Sequence, residues 1–120
     1  MAKEIPIRKL AKTIGASMNQ TVRAIKIELF NGVIRDTRVD TGRLRANWQA
    51  TNASPAQSEV DRVNEGAAYD EVRRNVTADG VDYLTNNLPY AEVWEERDGM
   101  IARNAVRIDR IVREKIDDSR

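Results

Sequence analysis

The chain contains neither cysteine nor histidine. Without cysteine there are no disulfides, no thiolate nucleophile and no cysteine-held zinc. Without histidine the usual general base and the commonest metal ligand are missing. Aromatic residues are 5% of the chain, with one Phe, two Trp and three Tyr, which suits a helical or mixed assembly component better than a compact all-β domain. No apolar run approaches the roughly 20 residues that span a bilayer. The opening "MAKEIPIRKL" is too short and too charged for a secretory signal, so the sequence reads as a soluble protein. Carboxylates are the remaining source of acid-base chemistry. None of the 19 Asp and Glu residues is paired in an apolar setting that would split two pKa values. The expectation is a non-enzyme with no cofactor and no bound metal.

What is present is length for one domain, 120 residues, and charge, 32% of the chain. A single unit over 1–120 with a modest core follows. The net charge of +1 hides an uneven distribution: residues 1–26 hold six Lys or Arg against one Glu, whereas residues 59–98 hold four Arg against eleven acids. Either this is a solvated surface of uneven sign, or the basic start of one copy lies on the acidic middle of the next.

Apolar residues Leu10, Ala11, Ile14, Met18, Val22, Ile25 and Leu29 recur at steps of three and four and predict a long first helix, opened by Pro6. From Ile27 a second apolar side appears through Phe30 and Ile34, so the later half of that helix is covered on two sides and the earlier half on one. The one-sided stripe Leu10, Ile14 and Met18 has no partner in so small a body. It is expected to be a mobile arm over residues 1–20 that orders against a neighbouring subunit. Asn31-Gly32 is a hairpin signal, but the adjacent pairs Leu29-Phe30 and Val33-Ile34 fit period 3.6 and favour helix. Beyond residue 43, Leu44, Ala46 and Trp48 alternate with Arg45, Asn47 and Gln49, predicting a half-buried strand. A turn follows at 51–58, then a second strand near Glu59 to Val63, a short helix around Ala68, Val72 and Val76, and a strand with Val81, Tyr83 and Thr85 on one face. Pro89 begins a short helix that stops at Asp98-Gly99. Met100, Ile101, Ala105, Ile108, Ile111, Val112 and Ile116 form the apolar arc of a last helix, opposite Arg103, Arg107, Arg110 and Arg113. The fold class is α+β: long N-terminal and C-terminal helices on a small antiparallel sheet, with one or two short helices.

"VDTGRLRANW", residues 39–48, breaks the helical pattern with a polar corner. Asp40 or Thr41 can accept backbone N–H bonds, and Gly42 can take a positive φ. Asp-Thr-Gly also occurs at the active site of aspartic proteases, but those need two facing carboxylates and a larger body or a symmetric dimer, and "RLRANW" lacks the apolar flank of such a loop. Trp48 is expected in one core with Pro89-Tyr90.

A long helix, this corner, then "YLTNNLPYAEVWEE" and "DGM" opening the last helix resemble the tail-completion, or head-to-tail joining, proteins of long-tailed bacteriophages over about residues 20–115. The pattern of that family is roughly V-D-T-G-x-L-R, later N-x-x-P-Y-A-x-x-x-E-x-G, and a Gly-Met pair before the final helix. The matching positions here are Val39, Asp40, Thr41, Gly42, Leu44 and Arg45, with Trp48 after them; then Asn86 or Asn87, Pro89, Tyr90, Ala91, Glu95 or Glu96, Gly99 and Met100. Two departures stand out: Arg38 where a proline is common, and "EERD" in place of a longer Ser/Pro-containing loop before Gly-Met.

The resemblance implies a structural virion protein, assembled in the host cytoplasm into a ring of copies, commonly six, at the neck. Its neighbours would be the tail tube or terminator on one side and the head-closure or portal protein on the other, with DNA passing through without sequence-specific contact and no membrane involved. Leu10, Ile14, Met18, Arg103, Arg107 and Arg110 are the expected subunit contacts. The alternatives are a small nucleic-acid-binding protein that uses the arginine face of the last helix, and another connector subunit, either tail terminator or head closure.

Overall fold

A computed structural model describes residues 18–39 and 41–118. Over these residues five helices and two strands occur in the order α1 (Met18–Asp36), α2 (Arg43–Ala46), β1 (Trp48–Asn52), α3 (Glu65–Asn75), β2 (Asp82–Asn86), α4 (Ala91–Asp98) and α5 (Met100–Asp118). The fold is α+β, with a long helix at each end of the described chain. Leu10 and Ile14 of the expected arm lie outside the described residues, and Met18 is the first residue of α1. Asn31-Gly32 is helical, as the paired apolar residues around it require.

The two faces of α1 serve two cores. Ile27 and Phe30, with buried Val33 and Ile34, pack on Trp48 and Ala50 of β1, Ala68, Val72 and Val76 from α3 and just beyond it, and Met100 at the start of α5. Ile25 and Leu29 pack on Ile108 and Val112 of α5. The pairs Asp36 with Asn104 and Glu28 with Arg107 show that α1 and α5 run antiparallel. Their backbones approach closely at Gly32, where a Cβ would overlap the Asn104 amide.

Strand β1 pairs with β2 antiparallel, Trp48 opposite Asn86 and Asn52 opposite Asp82. The other edge of β1 is closed by side chains. Ala50 N donates to Glu71 Oε1 at 2.8 Å, Ala50 O accepts from Asn75 Nδ2 at 2.8 Å, and the Arg62 guanidinium donates to the carbonyls of Ala46 and Trp48. Arg62 is held in turn by Glu71, at 3.2 Å. A strand edge capped in this way has no free template for pairing. Residues 59–63, expected as a strand, are irregular: along this edge the side chains of Arg62, Glu71 and Asn75 take the bonds that a strand would have made.

Two further expectations are corrected. Residues 43–46 are a helical turn rather than the start of a strand, and Asn47 and Gln49, expected to face water, are buried. Both serve the loop that crosses them, Asn47 Oδ1 accepting from Val60 N and Gln49 Nε2 donating to Ser58 O. Among the described side chains of α5, which do not include Ile116 of the expected arc, only the line Met100, Asn104, Ile108 and Val112 is buried, while Ile101 and Ile111 stay exposed and Ala105 is exposed too. An antiparallel helix partner covers a narrower stripe than the apolar arc offers. No helix among the described residues is long and apolar enough to cross a membrane.

Candidate functional site at the corner

The corner begins where α1 ends, and most of its residues serve that end. The last carbonyls of a helix lack intrahelical partners and carry the negative end of its dipole. Arg45 supplies both missing donors and charge: Nε donates to Thr37 O at 2.9 Å, a terminal nitrogen to Arg35 O at 2.8 Å, and the other to Glu65 at 3.0 Å. Fully buried Thr37 donates its hydroxyl to Val33 O and accepts from Trp48 Nε1 at 2.8 Å. The indole is thereby satisfied inside the core, where only 3% of Trp48 is exposed.

Gly42 makes the reversal possible. Its φ of 87° is left-handed, and a Cβ there would lie 2.6 Å from the Val63 carbonyl oxygen, so both conformation and space favour glycine. Thr41 Oγ1 accepts from Arg43 N at 3.3 Å. Asp40 lies outside the described residues. The single helical turn of α2 then buries Leu44.

The second motif comes to this turn from 42 residues away. Asn86 Nδ2 donates to Leu44 O at 2.8 Å, and Asn86 Oδ1 accepts from Leu88 N. Asn87 instead donates to Ala56 O at 2.9 Å, steadying the crossing loop. Leu44, Leu88 and Ala91 form one buried cluster with Trp94 against it. Pro89 and Tyr90 do not join Trp48 in the core as expected. Pro89 is exposed and Tyr90 is 40% exposed, because the flanking Leu88 and Ala91 take the inward positions. Of the two candidate glutamates, Glu95 does the structural work. Its carboxylate accepts from Ile101 N at 2.9 Å and Ala102 N at 3.3 Å, capping the start of α5. Gly99 turns the chain between the two helices and Met100 is fully buried.

Arg38 and the "EERD" segment meet. The Arg38 guanidinium lies 3.8 Å above the Trp94 ring and donates twice to Asp98, at 2.9 and 3.1 Å. The bond from Arg38 holds the Asp98 carboxyl below its ordinary pKa. In the sequence these two positions stand apart as departures from a pattern; only the fold shows them as partners.

Between the motifs opens a cleft of about 510 Å³ lined by Arg38, Thr41, Arg43, Leu44, Tyr90 and Trp94. Val39 and Val93, on the segments that build it, are 58% and 51% exposed, and Val63, whose carbonyl lies against Gly42, is 60% exposed. Both arginines are already engaged, Arg38 with Asp98 and Arg43 with Glu59. Among the described residues no group of three or more acidic side chains is placed to hold a metal ion. An apolar floor with neutralised charges at the rim suits contact with protein more than it suits acid-base chemistry.

No family model, no curated protein and no solved structure matches the chain. The expected arginine face of α5 is divided: Arg103 and Arg110 are exposed, Arg113 pairs with Asp109, and Arg107 turns inward to Glu28 at 2.9 Å and to Asn104. Gly32 provides the room for that inward turn.

Proposed function

We propose that the protein is a structural subunit of the neck of a long-tailed bacteriophage, a ring-forming tail-completion or head-to-tail joining protein whose copies, commonly six, surround the DNA path between tail and head. The observation that carries this reading is the convergence of the two motifs. Residues 39–48 and 86–100, the parts of the chain that bear the resemblance, are bonded through Asn86 and Leu44 and share one buried cluster. Around that junction the chain exposes Val39, Val63, Tyr90 and Val93, an apolar shelf for a neighbouring subunit or a head or tail partner. The role is mechanical, without catalysis. Uneven charge along the chain suits head-to-tail contacts, in which unlike patches of successive copies meet and the ring closes when the rotation does.

The nucleic-acid reading has less support. Among the described residues only Arg103 and Arg110 of the α5 stripe are left without an intramolecular ion pair, and non-specific DNA affinity draws on a contiguous basic footprint. Imaging of tails carrying a labelled copy of this protein tests the proposal. The label is expected as a ring at the head-proximal end of the tail. Label spread along the tail, or none on it, would exclude the neck.

A further inference from the structure

At three places in the described chain an Asn or Asp precedes a glycine: Asn31-Gly32, Asp79-Gly80 and Asp98-Gly99. Such a pair carries its own reaction. The glycine amide nitrogen can close a five-membered succinimide on the preceding side-chain carbonyl carbon, because glycine has no Cβ to obstruct the approach and turns freely into it. Two of the three sites are locked against this. Gly32 lies inside α1, where its N–H belongs to the helix ladder, and Asn31 Oδ1 is buried. Gly99 N donates to Glu95 O at 2.8 Å, while the Asp98 carboxylate accepts both bonds from Arg38, at 2.9 and 3.1 Å.

Asp79-Gly80 is open. Both residues are exposed in the bend between α3 and β2. The Asp79 side chain has no hydrogen-bond or ion-pair partner among the described residues, and Gly80 N makes one long bond, 3.3 Å, to Thr77 Oγ1. The ends of the bend, by contrast, are clamped. Lys26 Nζ reaches over from α1 and donates to Thr77 O at 3.0 Å, Gly80 O at 2.8 Å and Asp82 Oδ2 at 2.7 Å.

We propose that Asp79 is a site of spontaneous isomerisation to isoaspartate, the one of the three that the fold leaves reactive. Gly80 N attacks the neutral Asp79 carboxyl: the N–Cγ bond forms, the Cγ–OH bond breaks, and the hydroxyl leaves with the amide proton as water. A second water opens the ring. Its addition at Cγ restores aspartate, whereas addition at the main-chain carbonyl of residue 79 routes the chain through Cβ and Cγ, one methylene longer, with the α-carboxylate as the new side chain. That methylene falls between two carbonyls that grip one ammonium, so isomerisation draws Gly80 O off Lys26 and loosens the entry to β2. The product displays a free α-carboxylate on an exposed bend, the group that isoaspartyl methyltransferases esterify with S-adenosylmethionine. The inference stands on the bend and its bonds, independently of the neck proposal.

Ageing the full chain in mildly acidic buffer, followed by peptide mapping with electron-transfer fragmentation, reads isoaspartate site by site. In the folded protein residue 79 is expected to isomerise about tenfold or more ahead of residue 98, whose amide and carboxylate must first be released by local opening. In denaturant the two should react alike. Equal rates in the folded protein would overturn the proposal, as would no isoaspartate at residue 79 over a time in which the denatured chain forms it. Asp79→Glu, whose ring closure would be six-membered, should abolish the product without moving the melting temperature. Aged wild type should also exchange amides in residues 77–82 faster than aged Asp79→Glu; equal exchange in a sample rich in isoaspartate would overturn the link to the Lys26 clamp.

Discussion

Around the corner, buried and half-buried polar side chains are tied to named atoms: Arg45 to the end of α1, Thr37 to Trp48, Asn47 to the crossing loop, Asn86 to α2. Where the outer halves of α1 and α5 face each other, Ile25, Leu29, Ile108 and Val112 form the contact, with one ion pair, Arg107 to Glu28, beside them, and the buried hydroxyl of Thr21 is unpaired. Directional bonds fix one geometry and tolerate little change, whereas apolar helix contacts are graded and accept substitution of similar volume. The molecule thus has a rigidly specified end, which carries the family-like motifs, and a more forgiving one.

The largest expected effect breaks the specified end. Trp48→Ala should cost about 3 to 5 kcal/mol in denaturant unfolding, whereas Trp48→Phe keeps much of the burial and leaves the Thr37 hydroxyl without its donor, a loss of about 1 kcal/mol. In a variant retaining only Trp48 of the two tryptophans, the emission should be that of an indole shielded from water. Next comes Gly42→Val, expected to cost about 1 to 3 kcal/mol from backbone strain. Gly42→Asn eases the left-handed conformation but not the approach to Val63, so its melting temperature should fall between those of wild type and the valine variant. At the forgiving end Ile108→Val should cost only about 1 kcal/mol.

Acid sharpens the same contrast. Burial raises the pKa of Asp82, but the bonds from Lys26 and Thr77 outweigh it and the net shift is downward, as it is for Asp98 beside Arg38. A carboxyl depressed in the folded state adds stability that is whole at neutral pH and is lost as pH falls below about 4, the ordinary Asp value, toward the folded pKa. Both groups lie outside the α1–α5 contact. Stability should therefore decline below about pH 4 with early amide exposure in residues 77–82, and Asp82→Asn should flatten that decline.

Periodicity makes α1, the two cores it serves, α3, β2 and α5 legible, because burial repeats at the period of the element. The corner's composition also places Gly42 at a left-handed turn. Periodicity fails where side chains replace backbone pairing. The alternation from Leu44 to Trp48 has the pattern of a strand, yet a helical turn buries Leu44 and Ala46 just as well once a loop covers Asn47 and Gln49. The strand expected at 59–63 is replaced by Arg62, whose role at the edge of β1 has no signature in local composition. Asn104, fully buried between Asp36 and Arg107, escapes a pattern that places polar residues outside the apolar arc. At the site, the motif residues are visible in the sequence, but their convergence, and the pairing of Arg38 with Asp98, depends on contacts 42 and 60 residues apart.

If the exposed residues at the corner join subunits, sedimentation velocity on the full chain will separate wild type from Tyr90→Ala combined with Val93→Asp. Both residues are exposed, Tyr90 to 40% and Val93 to 51%, and neither belongs to a buried cluster, so thermal unfolding of the separated chain should change by no more than about 1 kcal/mol per site. Wild type is expected to sediment as one closed oligomer and the double variant as a monomer. A wild type that stays monomeric at every concentration, or a double variant that forms the same oligomer, would contradict the account.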